Sequence, residues 1–308
     1  MAILHVGEPV RGRAWAEIHA GLAPDLPFHV HPDMPPPGDV RYLVAWKIPD
    51  GLLEALDRLE VVFSIGAGVD QLDLRRLPRG ATLVRMIEPA LDREMTSYVA
   101  MAVLALHRNL PGYIAQQREQ RWSVLPIRDA ADIRVGILGL GVLGTAVAAG
   151  LAPFGFRMLG WSRTARALPG VACFHGEAGL EQVLRASDIL VCLLPLTPDT
   201  RGLLDARRLA MLPRGACLVN AARGGHVVEP DLLAALDSGQ LRAAVLDVCA
   251  QEPLQAGSPL WSHPGIVLTP HVAATTRAPS AAVALLENIR RHQRGEPMRG
   301  VVDIDRGY

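Results

Sequence analysis

The hydrophobic residues of the chain fall into short apolar runs separated by amphipathic or polar segments. Runs of this length are typical of buried strands, and residues 52–59 carry leucines on one face of a helix. The apolar runs are 3–6, 42–45, 61–65, 82–84, 135–138, 156–161, 189–193, 217–220, 244–247 and 266–268. Because strands that alternate with helices are typical of parallel sheets, the pattern predicts an α/β fold with doubly wound sheets.

Two longer helical patterns divide these runs into two groups. The first, residues 94–110, ends before Pro111 and has an apolar surface broad enough for both domains or for a partner subunit. The second, residues 280–293, follows Pro279 and is expected to return the chain to the first group. The predicted domains are residues 1–97 together with 277–308, and residues 98–276, with a cleft between them.

A glycine-rich turn follows the run at 135–138, with Gly139, Gly141 and Gly144 in the spacing G-x-G-x-x-G. In a dinucleotide site, the first glycine allows a tight turn, the second lets the pyrophosphate approach the backbone, and the third lets the helix pack closely. The small and apolar residues that follow are suited to that helix, whose N-terminus attracts phosphate. The motif therefore predicts a bound dinucleotide.

The residues after the next apolar run distinguish NADPH from NADH. An NAD site usually has an acidic residue about 20 positions beyond the glycines, which binds the ribose 2′-hydroxyl. This chain has no acidic residue between Asp132 and Glu177, and has Ser162, Arg163 and Thr164 after the run. A guanidinium between two hydroxyls favours a 2′-phosphate, so we predict NADPH, with NADH as second choice. The alternative is an ordinary basic surface turn in an arginine-rich chain.

Composition and charge argue against several classes of protein. The 31 basic and 31 acidic residues give a net charge of zero, so no global field would recruit nucleic acid or a membrane surface. The four cysteines lack C-x-x-C spacing, which argues against a metal site and a disulfide framework. The N-terminus lacks a signal segment, and the apolar runs are far shorter than a membrane span. We expect a cytoplasmic protein without a metal.

Three side chains of different chemistry follow successive apolar runs in the second half of the chain. Arg223, Glu252 and His271 come after the runs that begin at residues 217, 244 and 266. Parallel strands open their carboxyl ends on one crevice, so these groups are expected to meet beside the nicotinamide. There Arg223 can bind the carboxylate of a 2-keto acid, His271 can donate a proton, and Glu252 can orient the imidazole. Each alone has an ordinary alternative: a helix-terminal arginine, a solvated acid or a packed histidine.

Four motifs in this order resemble the D-isomer-specific 2-hydroxyacid dehydrogenase family over essentially the whole chain. The motifs are the glycine turn and residues 220–225, 246–253 and 269–271. The chain is most similar to the branch that reduces glyoxylate and hydroxypyruvate, through residues 66–70, 161–164, 258–261 and 306–308. The resemblance implies a Rossmann-type cofactor domain and a smaller flavodoxin-like substrate domain. It also implies an NADPH-preferring enzyme that reduces small 2-keto acids by hydride transfer.

The resemblance further implies roles for residues outside the catalytic trio. Backbone amides at Ala67, Gly68 and Val69 would hold the substrate carboxylate, and Trp46 would line the substrate pocket. The residues expected to bind the cofactor are Gly139, Gly141, Val142, Leu143, Gly144, Trp161, Ser162, Arg163, Thr164, Leu194, Pro195 and Asp247, the last at the nicotinamide amide. Without the resemblance, Trp46 would be interpreted as an aromatic residue that packs in the core. Residues 66–70 would be interpreted as a tight turn that needs glycine, and Asp247 as a residue that caps a loop.

Two other functions stay open from the sequence. A reductase of a bulkier 2-keto acid, aromatic or branched, would differ only in its pocket. A dinucleotide-sensing scaffold or corepressor would keep the fold and use cofactor binding to control assembly, although long charged tails are missing from the sequence. The expected partners are a small 2-keto acid and a second copy of the chain in a homodimer.

Overall fold

The computed structural model describes residues 1–304 and 306–308, and these residues form two compact units. The first unit consists of Met1–Leu91 and Thr275–Tyr308, and the second of Asp92–Ala274. The domain boundaries expected from the sequence differ from these divisions by a few residues, and they stay a prediction.

Strands and helices alternate along most of the chain. In the first unit they are β1 (Ala2–Val6), α1 (Pro9–Leu22), β2 (Phe28–Val30), β3 (Val40–Ala45), α2 (Leu52–Ala55), β4 (Val61–Ser64), β5 (Thr82–Val84) and α9 (Ala278–Gln293). Helix α3 (Pro89–His107) leads into the second unit, which continues with α4 (Leu110–Arg118), β6 (Arg134–Leu138), α5 (Val142–Leu151), β7 (Arg157–Ser162), β8 (Val171–His175), α6 (Gly176–Ala186), β9 (Ile189–Cys192), α7 (Ala206–Leu209), β10 (Ala216–Asn220), α8 (Glu229–Asp237), β11 (Leu241–Leu246) and β12 (Ile266–Leu268).

The first unit contains a parallel sheet in the order β2-β1-β3-β4-β5. This is the flavodoxin-like strand order, as the resemblance implies for this part of the chain. Strand β1 is buried along its whole length, as is usual for a parallel strand away from the sheet edge. Helix α1 packs against α9, so the C-terminal helix completes this unit.

The second unit contains a parallel sheet in the order β12-β11-β10-β9-β6-β7-β8. Counted from β6, this is the Rossmann order 3-2-1-4-5-6 with one further strand at the edge. The strand order reverses between β6 and β9, which is where sheets of this kind bind their ligands. The expected fold class is therefore confirmed for both parts of the chain.

Alternate residues of the strands in the second unit enter two separate hydrophobic clusters. In β6, Leu138 belongs to one cluster, and Val135 and Ile137 belong to the other. In β9, Leu190 and Val191 divide in the same way. Because side chains alternate between the faces of a strand, both faces of this sheet are covered, and its strands therefore have continuous apolar sequences.

Several elements differ from the prediction. The helix expected at residues 52–59 ends at Ala55, although Leu56 and Leu59 are still buried. The leucines after Ala55 show the apolar spacing because the chain stays buried beyond the end of the helix, although it is no longer helical. Strands β2 and β8, which the apolar pattern missed, lie at sheet edges and are only partly buried. Strand β2 has only three residues with a histidine at its centre, whereas β8 was missed although its first four residues are apolar.

Helix α3 buries most of its apolar surface within its own unit. Met95, Val99, Val103 and Leu106 belong to a hydrophobic cluster that also contains residues of β6 and β9. This surface is therefore not available to a partner subunit. Within residues 1–304 and 306–308, every helix falls short of the length and apolarity needed to cross a membrane.

Candidate active site

The glycine turn between β6 and α5 has the geometry that a dinucleotide site requires. Gly139 has a φ of +102°, and a Cβ there would lie 2.8 Å from the Leu193 carbonyl oxygen. A Cβ on Gly144 would overlap the Gly139 carbonyl oxygen, so α5 can pack on the turn only with glycine at this position. A Cβ on Gly141 would meet no atom within 4 Å, which leaves its backbone open to a pyrophosphate.

The elements beside this turn also fit a bound phosphate. Val142 and Leu143 begin α5, whose first turn has no acidic residue to repel an anion. Leu194 and Pro195 follow β9, across the point where the strand order reverses. Leu194 is buried, and the Pro195 carbonyl accepts a 2.7 Å hydrogen bond from the Thr200 hydroxyl. The loop after β9 is therefore fixed next to the glycine turn.

The residues at the end of β7 have different surroundings. Trp161 is buried in the core, and its indole N–H donates to the Gly176 carbonyl at 2.8 Å. The Ser162 hydroxyl donates to the Thr164 carbonyl at 2.8 Å, while Arg163 and Thr164 are exposed. The structure thus places an exposed guanidinium beyond the second strand of the Rossmann unit. Trp161 has a clear packing role, and its contact with the cofactor stays a prediction.

The three residues predicted to be catalytic lie at the carboxyl ends of three neighbouring strands. Arg223, Glu252 and His271 follow β10, β11 and β12, which are adjacent and parallel. A Cβ on Gly224 would overlap the carbonyl group of Cys249. The loop that carries Arg223 therefore packs directly against the loop that carries Glu252, and glycine makes this close approach possible.

Glu252 orients the imidazole of His271. Nδ1 of His271 lies 2.7 Å from Oε2 of Glu252, and Oε1 of Glu252 accepts the Cys249 N–H at 3.1 Å. The two side chains are 33% and 38% exposed, so a small molecule can reach them. A carboxylate at Nδ1 fixes the tautomer and the ring orientation of the imidazole.

Asp247 holds the loop on which His271 lies. Its buried carboxylate accepts hydrogen bonds from the Thr269 hydroxyl at 2.6 Å and from the N–H groups of Val272 and Ala273 at 2.9 and 2.8 Å. His271 itself has a φ of +57°, which is uncommon for a residue with a side chain. Asp247 therefore supports an unusual backbone conformation at His271. The nicotinamide contact implied by the resemblance stays a prediction.

Tyr98 extends this network and was not identified from the sequence. Its hydroxyl lies 2.6 Å from Oγ1 of Thr269, which donates its own proton to Asp247. Burial raises the pKa of Tyr98 to about 12, and the Asp247 charge adds to this effect while the Thr269 hydrogen bond opposes it. Tyr98 therefore stays protonated and donates to Thr269. Because Tyr98 belongs to α3, far from Thr269 in the sequence, no local motif could have identified it.

The substitution Gly224→Ala tests the contact between the Arg223 and Glu252 loops. The added Cβ must separate the two loops, so we expect kcat/KM to fall about 100-fold and stability to fall by about 1–3 kcal/mol. Turnover assays and thermal unfolding measure the two effects. The control is Gly257→Ala, because a Cβ at Gly257 meets no atom within 4 Å. Wild-type activity and stability in Gly224→Ala would contradict the close contact.

In the first unit, Trp46 packs on the loop that follows β4. A Cβ on Gly66 would lie 2.8 Å from Cζ3 of Trp46, so glycine is needed under the indole. The Ser64 hydroxyl donates to the Gly68 carbonyl at 2.7 Å, and the Met86 N–H donates to the Gly66 carbonyl at 3.0 Å. The structure thus brings together Trp46 and the loop that the resemblance assigns to the substrate.

The amides of this loop are available to a ligand. Among the described residues, the N–H groups of Ala67, Gly68 and Val69 donate no hydrogen bond to a backbone carbonyl. Val69 is buried, and buried backbone N–H groups normally have a partner. Successive amides without a protein partner form a concave site that favours an anion.

The chain is similar to a known protein family and to reductases of two bacteria. Residues 100–273 match the family described as D-isomer specific 2-hydroxyacid dehydrogenase, NAD binding domain. Glyoxylate/hydroxypyruvate reductase A of Klebsiella pneumoniae strain 342 is 43% identical over 273 residues, which cover 87% of each chain. The protein of the same name from Yersinia enterocolitica is 40% identical over 273 residues, again 87% of each chain.

Solved structures give the same relationship. A D-isomer specific 2-hydroxyacid dehydrogenase from Xanthobacter autotrophicus Py2, in complex with NADPH and MES, has a TM-score of 0.94 and 43% identity over 99% of both chains. The NADPH-dependent glyoxylate/hydroxypyruvate reductase of Sinorhizobium meliloti, in complex with NADP and sulfate, has a TM-score of 0.92 and 38% identity over 100% of this chain and 99% of that chain. The chain therefore belongs to the D-isomer specific 2-hydroxyacid dehydrogenase family.

Proposed function

We propose that the protein is an NADPH-preferring reductase of small 2-keto acids, with glyoxylate and hydroxypyruvate as leading substrates. The observation that carries this proposal is the 2.7 Å contact between His271 and Glu252, at the carboxyl edge of the sheet that also holds the glycine turn. Reduction adds a hydride to the carbonyl carbon and a proton to its oxygen. The products are glycolate and D-glycerate.

Each member of the trio has one task in this reaction. When bound, NADPH supplies the hydride. The planar guanidinium of Arg223 binds the substrate carboxylate through two hydrogen bonds and polarises the neighbouring carbonyl. His271 donates a proton from Nε2 to the carbonyl oxygen, and Glu252 holds the ring through Nδ1.

The preference for NADPH rests on the turn after β7. Arg163 is exposed there, and the chain has no acidic residue between Asp132 and Glu177 that would repel a phosphate. The Thr164 hydroxyl next to this guanidinium can also donate to the 2′-phosphate, whereas the Ser162 hydroxyl donates to the Thr164 carbonyl and holds the turn. The relatives from Xanthobacter and Sinorhizobium have NADPH and NADP in their structures.

The substitution Arg163→Ala tests this assignment. Loss of the guanidinium is expected to raise the dissociation constant of NADPH about 10- to 100-fold, because hydrogen bonds between charged groups contribute about 1.5–3 kcal/mol. The dissociation constant of NADH should change less than about threefold. The control is Arg157→Ala, at the opposite end of β7, which should affect neither cofactor. Equal losses for NADPH and NADH in Arg163→Ala would contradict the assignment.

The loop after β4 is proposed to bind the carboxylate of the keto acid. The N–H groups of Ala67, Gly68 and Val69 supply the donors, and Trp46 forms an apolar wall beside them. A wall of this kind limits the size of the group attached to the keto carbon. This role for Trp46 favours glyoxylate and hydroxypyruvate over bulkier 2-keto acids.

A spectrophotometric assay tests the proposed activity and distinguishes it from the two alternative functions. NADPH oxidation is followed with glyoxylate, hydroxypyruvate, pyruvate and phenylpyruvate. We expect rapid oxidation with the first two acids. Rapid oxidation with phenylpyruvate alone would support a reductase of bulkier acids. NADPH binding without turnover of any acid would support the dinucleotide-sensing scaffold.

We propose a homodimer as the assembled state. The segment after α4 has apolar side chains that the described chain leaves in solvent, because Trp122 is 102% exposed and Val124 is 85% exposed. Large apolar side chains exposed together mark interaction sites. A second copy of the chain would cover both residues, and a symmetric contact would use the same segment on each protomer.

The double substitution Trp122→Ser and Val124→Ser tests the dimer. Light scattering after size-exclusion chromatography should give about twice the 33.1 kDa chain mass for the wild type and a value near 33.1 kDa for the variant. The control is Trp261→Ser, which removes an exposed tryptophan from another part of the second unit. A dimer that persists in the double variant would place the interface elsewhere.

We place the protein in the cytoplasm. The four cysteines are free thiols in the structure, and two of them are buried in strands. Reduced thiols of this kind are usual in the cytoplasm, where disulfides are rare.

A further inference from the structure

His226 contacts two carbonyl oxygens that belong to functional loops. His226 is fully buried, and it ends the short helical turn that follows Arg223. Its Nδ1 lies 3.0 Å from the Arg223 carbonyl oxygen, and its Nε2 lies 3.2 Å from the Pro195 carbonyl oxygen. A carbonyl oxygen only accepts hydrogen bonds, and a neutral imidazole has only one N–H. Both contacts are therefore hydrogen bonds only when the ring carries two protons.

The Arg223 carbonyl is held by further donors. Nδ2 of the buried Asn220 donates to it at 2.9 Å, and the backbone N–H of His226 donates to it at 3.2 Å. The His226 carbonyl accepts the Leu204 N–H at 2.8 Å, which fixes the histidine from the other side. The backbone of Arg223 is thus held in one position by its neighbours, and the ring of His226 extends this support to Pro195.

The surroundings of His226 favour the charged ring. Burial alone lowers the pKa of an imidazole, but the Cys192 sulfur and the Pro195 and Arg223 carbonyls outweigh this effect and raise the pKa of His226 to about 9. The charged form is the one that can donate to both carbonyls. The electrostatic surroundings and the hydrogen-bond geometry therefore agree.

We propose that His226, as a doubly protonated imidazole, is a positioning residue that ties the Pro195 loop to the backbone of Arg223 and so fixes the guanidinium for the keto acid. The positioning role of His226 rests on the proposed function only because that function assigns Arg223 to the substrate. The hydrogen-bond arrangement of the ring is independent of that assignment. Reduction by a member of this family would thus depend on a histidine that does not touch the substrate.

The protonation state of His226 can be measured without any activity. Nitrogen-15 NMR of the histidine-labelled protein at pH 7.5 distinguishes a doubly protonated ring from either neutral tautomer. The signals of His226, one of ten histidines, are assigned by their loss in His226→Gln. We expect both nitrogens to be protonated. A neutral ring with one N–H would overturn the proposal, whatever reaction the protein catalyses.

Kinetic variants test the positioning role. His226→Leu removes both donors, and kcat/KM for the keto acid should fall about 10- to 100-fold, because small displacements of a substrate-binding group are costly. The dissociation constant of NADPH should rise less than about threefold, because the glycine turn holds the pyrophosphate. His226→Gln retains an N–H donor and should recover part of the loss. The control is His19→Gln, which changes a buried histidine bonded to the Leu26 carbonyl in the first unit.

A coupling measurement separates positioning from general stability. If His226 acts through Arg223, adding His226→Leu to Arg223→Ala should change kcat/KM by less than about twofold. Thermal unfolding confirms that each variant is folded, and His226→Gln replaces His226→Leu if the leucine variant is not. Wild-type kcat/KM in folded His226→Leu, or an equal further loss in the Arg223→Ala background, would overturn the proposal.

Discussion

Replacement of His271 by alanine is expected to lower kcat about a thousandfold, because a positioned proton donor contributes about 10²–10⁴ to the rate. The loss should appear in kcat more than in KM, since His271 acts on the carbonyl oxygen as negative charge develops there. NADPH should bind as in the wild type, because the glycine turn is unchanged. Stopped-flow turnover and fluorescence titration of NADPH measure the two quantities.

A second substitution at this pair gives the control. Glu252→Gln keeps a side chain that can accept a hydrogen bond from Nδ1 of His271 but removes the carboxylate charge. Its loss of kcat should be smaller than that of His271→Ala, because the ring and its Nε2 proton donor remain. Turnover of His271→Ala within about threefold of the wild type would show that the proton comes from another group.

Replacement of Arg223 by alanine is expected to raise KM and to lower kcat as well. In the proposed reaction the guanidinium binds the carboxylate in the ground state, and it also stabilises the charge that develops on the carbonyl oxygen. Together these effects should lower kcat/KM about 10³-fold, which corresponds to about 4 kcal/mol of transition-state stabilisation. Steady-state kinetics with glyoxylate and hydroxypyruvate measure the change.

The variant Arg223→Lys keeps the charge and removes the planar pair of donors. A bidentate contact does not tolerate this change, so the lysine variant should recover only a small part of the lost kcat/KM. If KM alone rises in Arg223→Ala, the arginine only anchors the substrate. If lysine restores full activity, charge alone accounts for the role of Arg223.

The sequence predicted the features that depend on local patterns. The buried strands were recognised because both faces of each parallel sheet are covered, so that β6, β9 and β10 have continuous apolar sequences. The glycine turn was recognised because its backbone requires glycine at three fixed positions. The placement of Arg223, Glu252 and His271 at one edge of the sheet was predicted because the carboxyl ends of parallel strands lie at the same edge, and their catalytic roles stay a prediction.

The remaining features depend on contacts between distant parts of the chain. Tyr98 supports Thr269 across 171 positions of sequence, and Gly224 packs on Cys249 from the neighbouring loop. The hydrogen bonds from the Asp247 carboxylate to the loop of His271 are a further contact of this kind, and its expected contact with the nicotinamide amide stays a prediction. Such contacts have no local periodicity or spacing. They arise only when the strands have their final order, and sequence reasoning therefore missed them.

Edge strands and short helices form a second group of missed features. Strand β8 was missed although its first four residues are apolar, and it is only partly buried. Helix α2 has only four residues, although the leucines after it are buried in the same core. The spacing of apolar residues shows which positions are buried. It distinguishes a helix from a strand only where the element is long enough to show a repeat.

The proposed hydride transfer is tested most directly by following deuterium from the cofactor to the product. NADPH labelled at C4 of the nicotinamide is incubated with hydroxypyruvate and the wild-type protein, and the glycerate is analysed by mass spectrometry and chiral chromatography. We expect D-glycerate with one deuterium at C2, formed from one of the two C4-labelled stereoisomers of NADPH. Glycerate without deuterium from both labelled stereoisomers, or the absence of glycerate despite bound NADPH, would contradict the proposed hydride transfer.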